Sequence, residues 1–80
     1  MSKNHLAICF GQVVRRLRTE KGFSQEDLAS KSGLHRTYIG SVERGEKTVT
    51  INTAYKLAKA LQIDLSTLFI ELDEVIRKDD

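Results

Sequence analysis

The segment SQEDLASKSGLHRTYIGSVERG, residues 24–45, decides the fold because its pattern predicts two short helices joined by a tight turn. Ser24 supplies a capping hydroxyl for the first of these helices, and acidic residues follow in its first turn, where the helix dipole favours them. The first of these two helices is predicted to end at Ser32-Gly33. A second short helix is then predicted from about Arg36 to Arg44, with Ile39 and Val42 turned inward.

Apolar residues at helical spacing extend this pattern in both directions along the chain. A first helix that Asn4 can cap ends near Lys21, before Gly22, and its apolar face is Leu6, Phe10, Val13, Val14 and Leu17. Thr50 can cap a fourth helix with the face Ile51, Ala54, Leu57, Ala58 and Leu61, and Asp64 can cap a fifth that continues nearly to the end. No segment alternates as a strand does. We therefore expect the all-α class, a compact five-helix bundle formed by a single domain over residues 1–80.

Charge is distributed unevenly along the chain. Residues 1–60 carry eleven Lys and Arg against five Asp and Glu, whereas residues 61–80 carry two against six. A basic body suits a polyanion such as nucleic acid, and the acidic tail should stay away from it. With 40% hydrophobic and 30% charged residues, the composition is that of a globular protein.

The predicted third helix has an outer face suited to reading DNA. Two short helices with a tight glycine turn are typical of a helix-turn-helix, whose second helix enters the major groove with its N-terminal end first. Arg36 can bind guanine through two parallel hydrogen bonds, and Thr37 can touch a thymine methyl group or a phosphate. Tyr38 and Ser41 are expected on the same solvent face. An ordinary helical hairpin in a bundle remains the alternative.

Several motifs at matching offsets resemble the XRE (Cro/repressor-like) helix-turn-helix family. They are the run 17–29 (LRTEKGFSQEDLA), then Gly33, then 38–45 (YIGSVERG), with a continuation through Lys56-Leu57-Ala58 to Leu68-Phe69. The resemblance covers about residues 10–70 and implies the lambda-repressor-like fold of a DNA-binding domain. Within that family, the segment 36–39 and the chain length resemble the controller proteins of restriction–modification systems.

The resemblance implies roles for individual residues. The base-reading positions match Arg36, Thr37, Tyr38 and Ser41, and the phosphate-contacting positions match Gln25, Arg18, His35, Lys47 and Thr48. Arg18 and Glu43 match an ion pair that joins the first helix to the third helix, which we call the reading helix because its outer face would read DNA. Glu46 departs from the more basic loops of many relatives, which weakens the expected phosphate contact there.

The last helix carries more apolar surface than a small core requires. Leu65 and Leu68 are expected to close the core, and the rest would form an exposed patch that a two-fold interface could bury: Phe69, Leu72, Val75 and Ile76. Residues 65–78 would then contribute a dimerisation helix. A homodimer would set two reading helices about 34 Å apart, one DNA turn, as a palindromic operator requires. Alternatively, Val75 and Ile76 fold back on the first helix.

The sequence predicts no catalytic residues, no cofactor, no metal and no small-molecule ligand. The two histidines, His5 and His35, have no acidic or cysteine neighbours at the usual ligand spacing, and the lone Cys9 reads as a packed residue. Without a membrane span or secretion signal, we expect a cytoplasmic protein. The expected partners are double-stranded DNA and a second copy of the chain, with a contact to RNA polymerase as a further candidate. An antitoxin, a phage-type repressor and a protein–protein interaction module remain alternatives.

Overall fold

The computed structural model describes residues 5–79, which fold into five α-helices and contain no strand. The helices are α1 (His5–Glu20), α2 (Gln25–Ser32), α3 (Arg36–Glu43), α4 (Ile51–Ala60) and α5 (Leu65–Asp79). The predicted all-α class is confirmed. Asn4, the predicted cap of α1, lies outside the described residues. Over residues 5–79, none of the helices combines the length and the apolar character needed to cross a bilayer.

The core forms where α1 packs against α3 and α5, α2 against α3 and α4, and α4 against α5. Every helix contributes a fully buried side chain, among them Val13, Val14, Leu28, Ile39, Leu57 and Leu68. Burial of these apolar side chains is the main force that holds the short helices together. It places α3 between α1 and α2, and so fixes the direction in which the N-terminal end of α3 projects.

The turn between α2 and α3 follows the predicted local chemistry. The Ser24 hydroxyl accepts the backbone N–H of Asp27, and the Asp27 carboxylate accepts the backbone N–H of Ser24, which makes a complete capping box at the start of α2. Gly33 ends α2 with φ 74°, a left-handed conformation that a side chain would disfavour. The chain therefore reverses within three residues, and α3 begins directly after it.

Gly11 allows α1 and α3 to approach each other closely. A Cβ atom at this position would clash with the backbone carbonyl oxygens of Val42 and Glu43. The buried glycine lies in the middle of α1, where it costs about 1 kcal/mol of helix propensity relative to alanine. The close helix contact explains why a glycine occupies a position that is otherwise unfavourable for a helix.

Two residues of the predicted apolar faces are exposed instead of buried. Leu6 is 58% exposed and Ile51 is 63% exposed. Both lie in the first turn of their helices, and both flank an open apolar groove that Phe69 and Leu72 also line. Helical spacing predicted their face correctly, but it does not indicate where the neighbouring helix stops covering that face.

Candidate nucleic-acid interface

The N-terminal end of α3 projects from the bundle. His35, Arg36 and Thr37 are all exposed there, and we call these three residues the recognition end. The ring Nδ1 of His35 accepts the backbone N–H of Thr37 at 3.2 Å, so His35 caps α3. This cap rigidifies the first turn of α3 and leaves the Arg36 and Thr37 side chains free to reach outward.

The structure corrects the predicted exposure of two other residues of α3. Ser41 is only 9% exposed, and its hydroxyl donates to the carbonyl of Thr37 at 3.2 Å. Tyr38 is half-buried and packs against the core. The cause is the tight packing of α3 between α1 and α2, which covers all but the first turn of the helix. Ser41 was predicted to face solvent, and this expectation was wrong.

Gly40 does not leave an open flank on α3. A Cβ atom there would lie 3.1 Å from Nη1 of Arg44 and 3.6 Å from Oε1 of Gln25. The space that the missing side chain would occupy is thus bordered by two polar groups of the same chain. These groups, rather than a bare helix flank, would meet an approaching DNA backbone.

Arg36 forms an ion pair that the sequence analysis did not predict. Its Nε lies 3.3 Å from Oε2 of Glu26 in the first turn of α2, and the two side chains are 59% and 67% exposed. Exposed pairs of this kind contribute at most about 1 kcal/mol, so a stronger partner can replace them. Glu26 therefore orients Arg36 without removing it from the surface.

Arg18 and Glu43 form the predicted ion pair between α1 and α3. The guanidinium donates through Nε and Nη2 to the two carboxylate oxygens at 2.6 and 3.0 Å, and its Nη1 donates to the carbonyl of Phe23 at 2.8 Å. The side chains are 12% and 4% exposed. The hydrogen bond to Glu43 raises the pKa of Arg18 above its ordinary value, so the guanidinium stays charged.

The same network includes two residues with predicted phosphate contacts. Arg18 uses three of its five N–H groups to bind Glu43 and the carbonyl of Phe23, and its phosphate contact stays a prediction. Gln25 also turns inward, and its Nε2 donates to Oε1 of Glu43 at 3.1 Å. Both residues hold Glu43, which lies at the last turn of α3. Arg18 and Gln25 therefore hold the C-terminal end of α3, opposite the recognition end.

A polar depression of about 260 Å³ lies where α1, α2 and α3 meet. Arg15 and Arg44 are exposed at its edge, and Gly40 and the buried ion pair also line it. Arg44 donates to Glu46 through Nε at 2.9 Å and Nη2 at 3.2 Å. Arg44 had no predicted role, although two arginines beside α3 are an arrangement suited to phosphate oxygens.

The loop residues that were predicted to contact phosphate lie beside the apolar groove and not beside the polar depression. Lys47 and Thr48 are exposed, and they line the apolar groove, whose volume is about 190 Å³. Phe69, predicted to lie in a dimer interface, is 37% exposed in this groove, and Leu72 is half-buried there. Val75, like Leu72, packs against the core, and Ile76 is half-buried, so of these four residues Phe69 alone is exposed.

Residues 14–68 match the model of a family described as "Helix-turn-helix". The control protein C.SmaI of Serratia marcescens is 50% identical to this chain, and the match covers 76% of this chain and 81% of that protein. The crystal structure of the restriction–modification controller protein C.AhdI from Aeromonas hydrophila is 52% identical, with a TM-score of 0.76, and covers 79% of this chain and 96% of that one.

A second solved structure is similar over a longer part of the chain. It is the controller protein C.Esp1396I, crystallised as a tetramer in complex with its natural 35-base-pair operator. The two chains are 38% identical with a TM-score of 0.85, and the match covers 90% of this chain and 95% of that one.

Proposed function

This chain belongs to the helix-turn-helix family and is similar to the controller proteins of restriction–modification systems, and on that premise we propose that it is a regulator of transcription. It binds double-stranded DNA of a specific sequence as a homodimer, and it is not an enzyme. A regulator of this kind acts where the chromosome lies, which places it in the cytoplasm.

The recognition end carries this proposal. Arg36 and Thr37 extend from a short helix whose opposite end is held by the buried pair of Arg18 and Glu43. A reading helix must present its side chains at a fixed angle, because a bidentate contact between arginine and guanine depends on geometry. The buried pair supplies that rigidity, and the solvent-facing first turn supplies the hydrogen-bonding groups.

Base and phosphate contacts are divided between two sets of residues in this proposal. Arg36 reads a guanine and Thr37 a thymine methyl group, and the half-buried Tyr38 offers its hydroxyl to the DNA major groove. Arg15, Arg44, His35, Lys47 and Thr48 bind phosphates. Gln25 and Ser41 act from within the fold, because hydrogen bonds to other parts of the chain occupy both side chains. The phosphate contacts position the protein, and the base contacts give specificity.

The apolar groove supports the homodimer. Leu6, Ile51 and Phe69 are three of the large apolar side chains that remain exposed, and all three line this one depression. An exposed apolar patch of this kind marks an interaction surface. A second copy of the chain would bury it through a two-fold interface in which α5 takes part, and the two reading helices would then face successive major grooves of a palindrome. Residues 1–80 form a single domain in this arrangement.

Contact with RNA polymerase is a finer part of the same proposal. Asp64 and Asp73 lie in the acidic C-terminal part of the chain and are exposed, and Oδ2 of Asp73 lies 3.1 Å from Nη2 of Arg77. Neutralising both carboxylates (Asp64→Asn with Asp73→Asn) should reduce activated transcription in vitro at full operator occupancy. Equal transcription by both proteins would remove this contact.

Measuring DNA affinity while salt is raised tests the proposed function. Affinity for duplex DNA should fall linearly on a log–log plot with a slope set by the number of phosphates neutralised. Arg36→Ala should reduce discrimination at one base pair of each half-site by about 1–3 kcal/mol and leave the salt slope nearly unchanged. A protein–protein module would show little DNA affinity at any salt. An antitoxin would bind DNA but would bury its groove against a different protein, and not against a second copy of itself.

A further inference from the structure

We propose that His5, Cys9 and Asp79 bind one divalent cation of borderline softness, such as Zn²⁺, between the two ends of the described chain. This metal site is separate from the DNA-binding role and does not depend on it. The prediction that His5 has no cysteine neighbour at ligand spacing was wrong, because Cys9 follows it by four residues, and Asp79 was missed because it follows Cys9 by 70 residues. The fold brings Asp79 next to Cys9 because α5 packs along α1.

The three side chains offer one ligand atom each from three directions. Nε2 of His5 lies 3.7 Å from Sγ of Cys9, Sγ lies 3.4 Å from Oδ2 of Asp79, and Nε2 lies 3.9 Å from that same oxygen. His5 and Cys9 are four residues apart in α1, so they project from the same side of the helix. Asp79, in the last turn of α5, completes the triangle.

These separations match the edges of a tetrahedral coordination site. With zinc–sulfur bonds of about 2.3 Å and zinc–nitrogen or zinc–oxygen bonds of about 2.0–2.2 Å, neighbouring ligand atoms lie roughly 3.4–3.6 Å apart. The two observed edges to sulfur, 3.7 and 3.4 Å, lie within about 0.2 Å of this range, and the His5–Asp79 edge of 3.9 Å is about 0.5 Å longer than a nitrogen–oxygen edge, so the exposed Asp79 carboxylate would move inward by that amount on binding. One imidazole, one thiolate and one carboxylate are also a donor set that suits Zn²⁺ or Co²⁺ better than Mg²⁺ or Ca²⁺.

One side of the site is closed by the buried Cys9, and the other side is open to solvent. Cys9 is completely buried, whereas the side chains of His5 and Asp79 are 25% and 44% exposed. A cation can therefore enter from the solvent side, meet the sulfur at the bottom and keep a water molecule as its fourth ligand. Bound there, it joins the first turn of α1 to the last turn of α5.

The thiol has no competing use in the described structure. Its Sγ–H donates to Oδ2 of Asp79 at 3.4 Å, which lies within the same cluster. A metal ion replaces its proton on binding, as zinc does at other cysteine ligands.

Titration of the reduced full-length protein with Co²⁺ tests the site. We expect one equivalent of Co²⁺ to give a thiolate-to-cobalt charge-transfer band and the intense visible bands of four-coordinate cobalt, and Zn²⁺ to displace it. Cys9→Ser should abolish the charge-transfer band. Asp79→Asn should weaken binding at least tenfold, and Glu74→Gln, an exposed carboxylate of the same helix, should leave it unchanged.

The Asp79 variant protects this test against a folding defect, because its side chain is partly exposed at the end of a helix whereas Cys9 is buried. Excess Zn²⁺ should raise the thermal midpoint of the wild type by several degrees and that of Asp79→Asn by much less. Cobalt bound without a charge-transfer band, or bound equally well by Asp79→Asn, would overturn the assignment.

Discussion

Glu26 competes with DNA for the guanidinium group of Arg36. In the free protein its carboxylate holds the guanidinium at 3.3 Å, and both groups are more than half exposed. Glu26→Gln removes a competing partner and a negative charge beside the recognition end, so affinity for operator DNA should rise severalfold at low salt. Fluorescence anisotropy with labelled duplex measures this change.

Glu74→Gln makes the same change of charge on α5 and serves as the matched control for Glu26. If both variants improve affinity equally, net charge alone accounts for the effect and Glu26 does not hold Arg36 back. The improvement of Glu26→Gln should also disappear in the Arg36→Ala background, since no guanidinium is left to release.

The Arg18–Glu43 pair is the residue contact with the largest expected effect on stability. Glu43→Ala leaves a buried guanidinium without its carboxylate and should lower the free energy of unfolding by about 3–5 kcal/mol. The double variant Arg18→Met with Glu43→Leu should recover most of this loss, because apolar residues of similar volume can replace a buried ion pair. Urea denaturation followed by circular dichroism measures both values. Equal losses in the single and double variants would contradict this account.

At the scale of the helices, the capping box of α2 links stability to pH. The backbone N–H and hydroxyl of Ser24 hold the pKa of Asp27 below its ordinary value. A lowered pKa in the folded state stabilises the fold above the unfolded pKa, and this contribution is lost as the pH falls through the folded pKa. Separately, Ser24→Ala removes the hydroxyl that accepts the Asp27 N–H and should cost about 1 kcal/mol.

The acid dependence distinguishes this cap from a general defect. Wild type and Asp27→Asn should converge in stability as the pH falls from 5 toward 2, since protonation removes the charge with which the Asp27 carboxylate accepts the backbone N–H of Ser24, whereas the Ser24 hydroxyl keeps its own bond in both proteins. Urea midpoints across this pH range check the expectation. A constant difference between the two proteins would mean that Asp27 takes no part in the cap.

Helix existence and type were predictable from the sequence because capping residues and apolar spacing are local signals. Ser24, Thr50 and Gly33 act at the helix ends where the sequence placed them. The burial of Ser41 was not predictable in this way, because it depends on how α3 packs among its neighbours and on the Arg44 side chain, whose Nη2 donates to the Ser41 hydroxyl at 3.4 Å. The inward turn of Gln25 likewise depends on where Glu43 lies in three dimensions.

At the scale of the whole molecule, contacts between distant segments were the part that the sequence could not reveal. The dimer patch was predicted from α5 alone, yet the groove also takes Leu6 from α1 and Ile51 from α4. Periodicity assigned both residues to the core. Their exposure is visible only once the ends of the neighbouring helices are known, and it moves the proposed interface from one helix to a surface shared by three.

The groove predicts how the molecule assembles. Phe69→Glu places a charge among apolar side chains that a second copy would bury, so the variant should sediment as a monomer at concentrations where the wild type is a dimer. Ile70→Glu is the matched control, because Ile70 is 58% exposed on the same helix but does not line the groove. Analytical ultracentrifugation separates the two outcomes.

Loss of the dimer should carry over to DNA. A monomer makes the contacts of one half-site only, so Phe69→Glu should bind a full palindrome about as weakly as the wild type binds a single half-site. Its occupancy should also rise less steeply with protein concentration. If Ile70→Glu alone is monomeric, the interface lies on the outer face of α5 and not in the groove. If the wild type stays monomeric at high concentration, the homodimer itself is wrong.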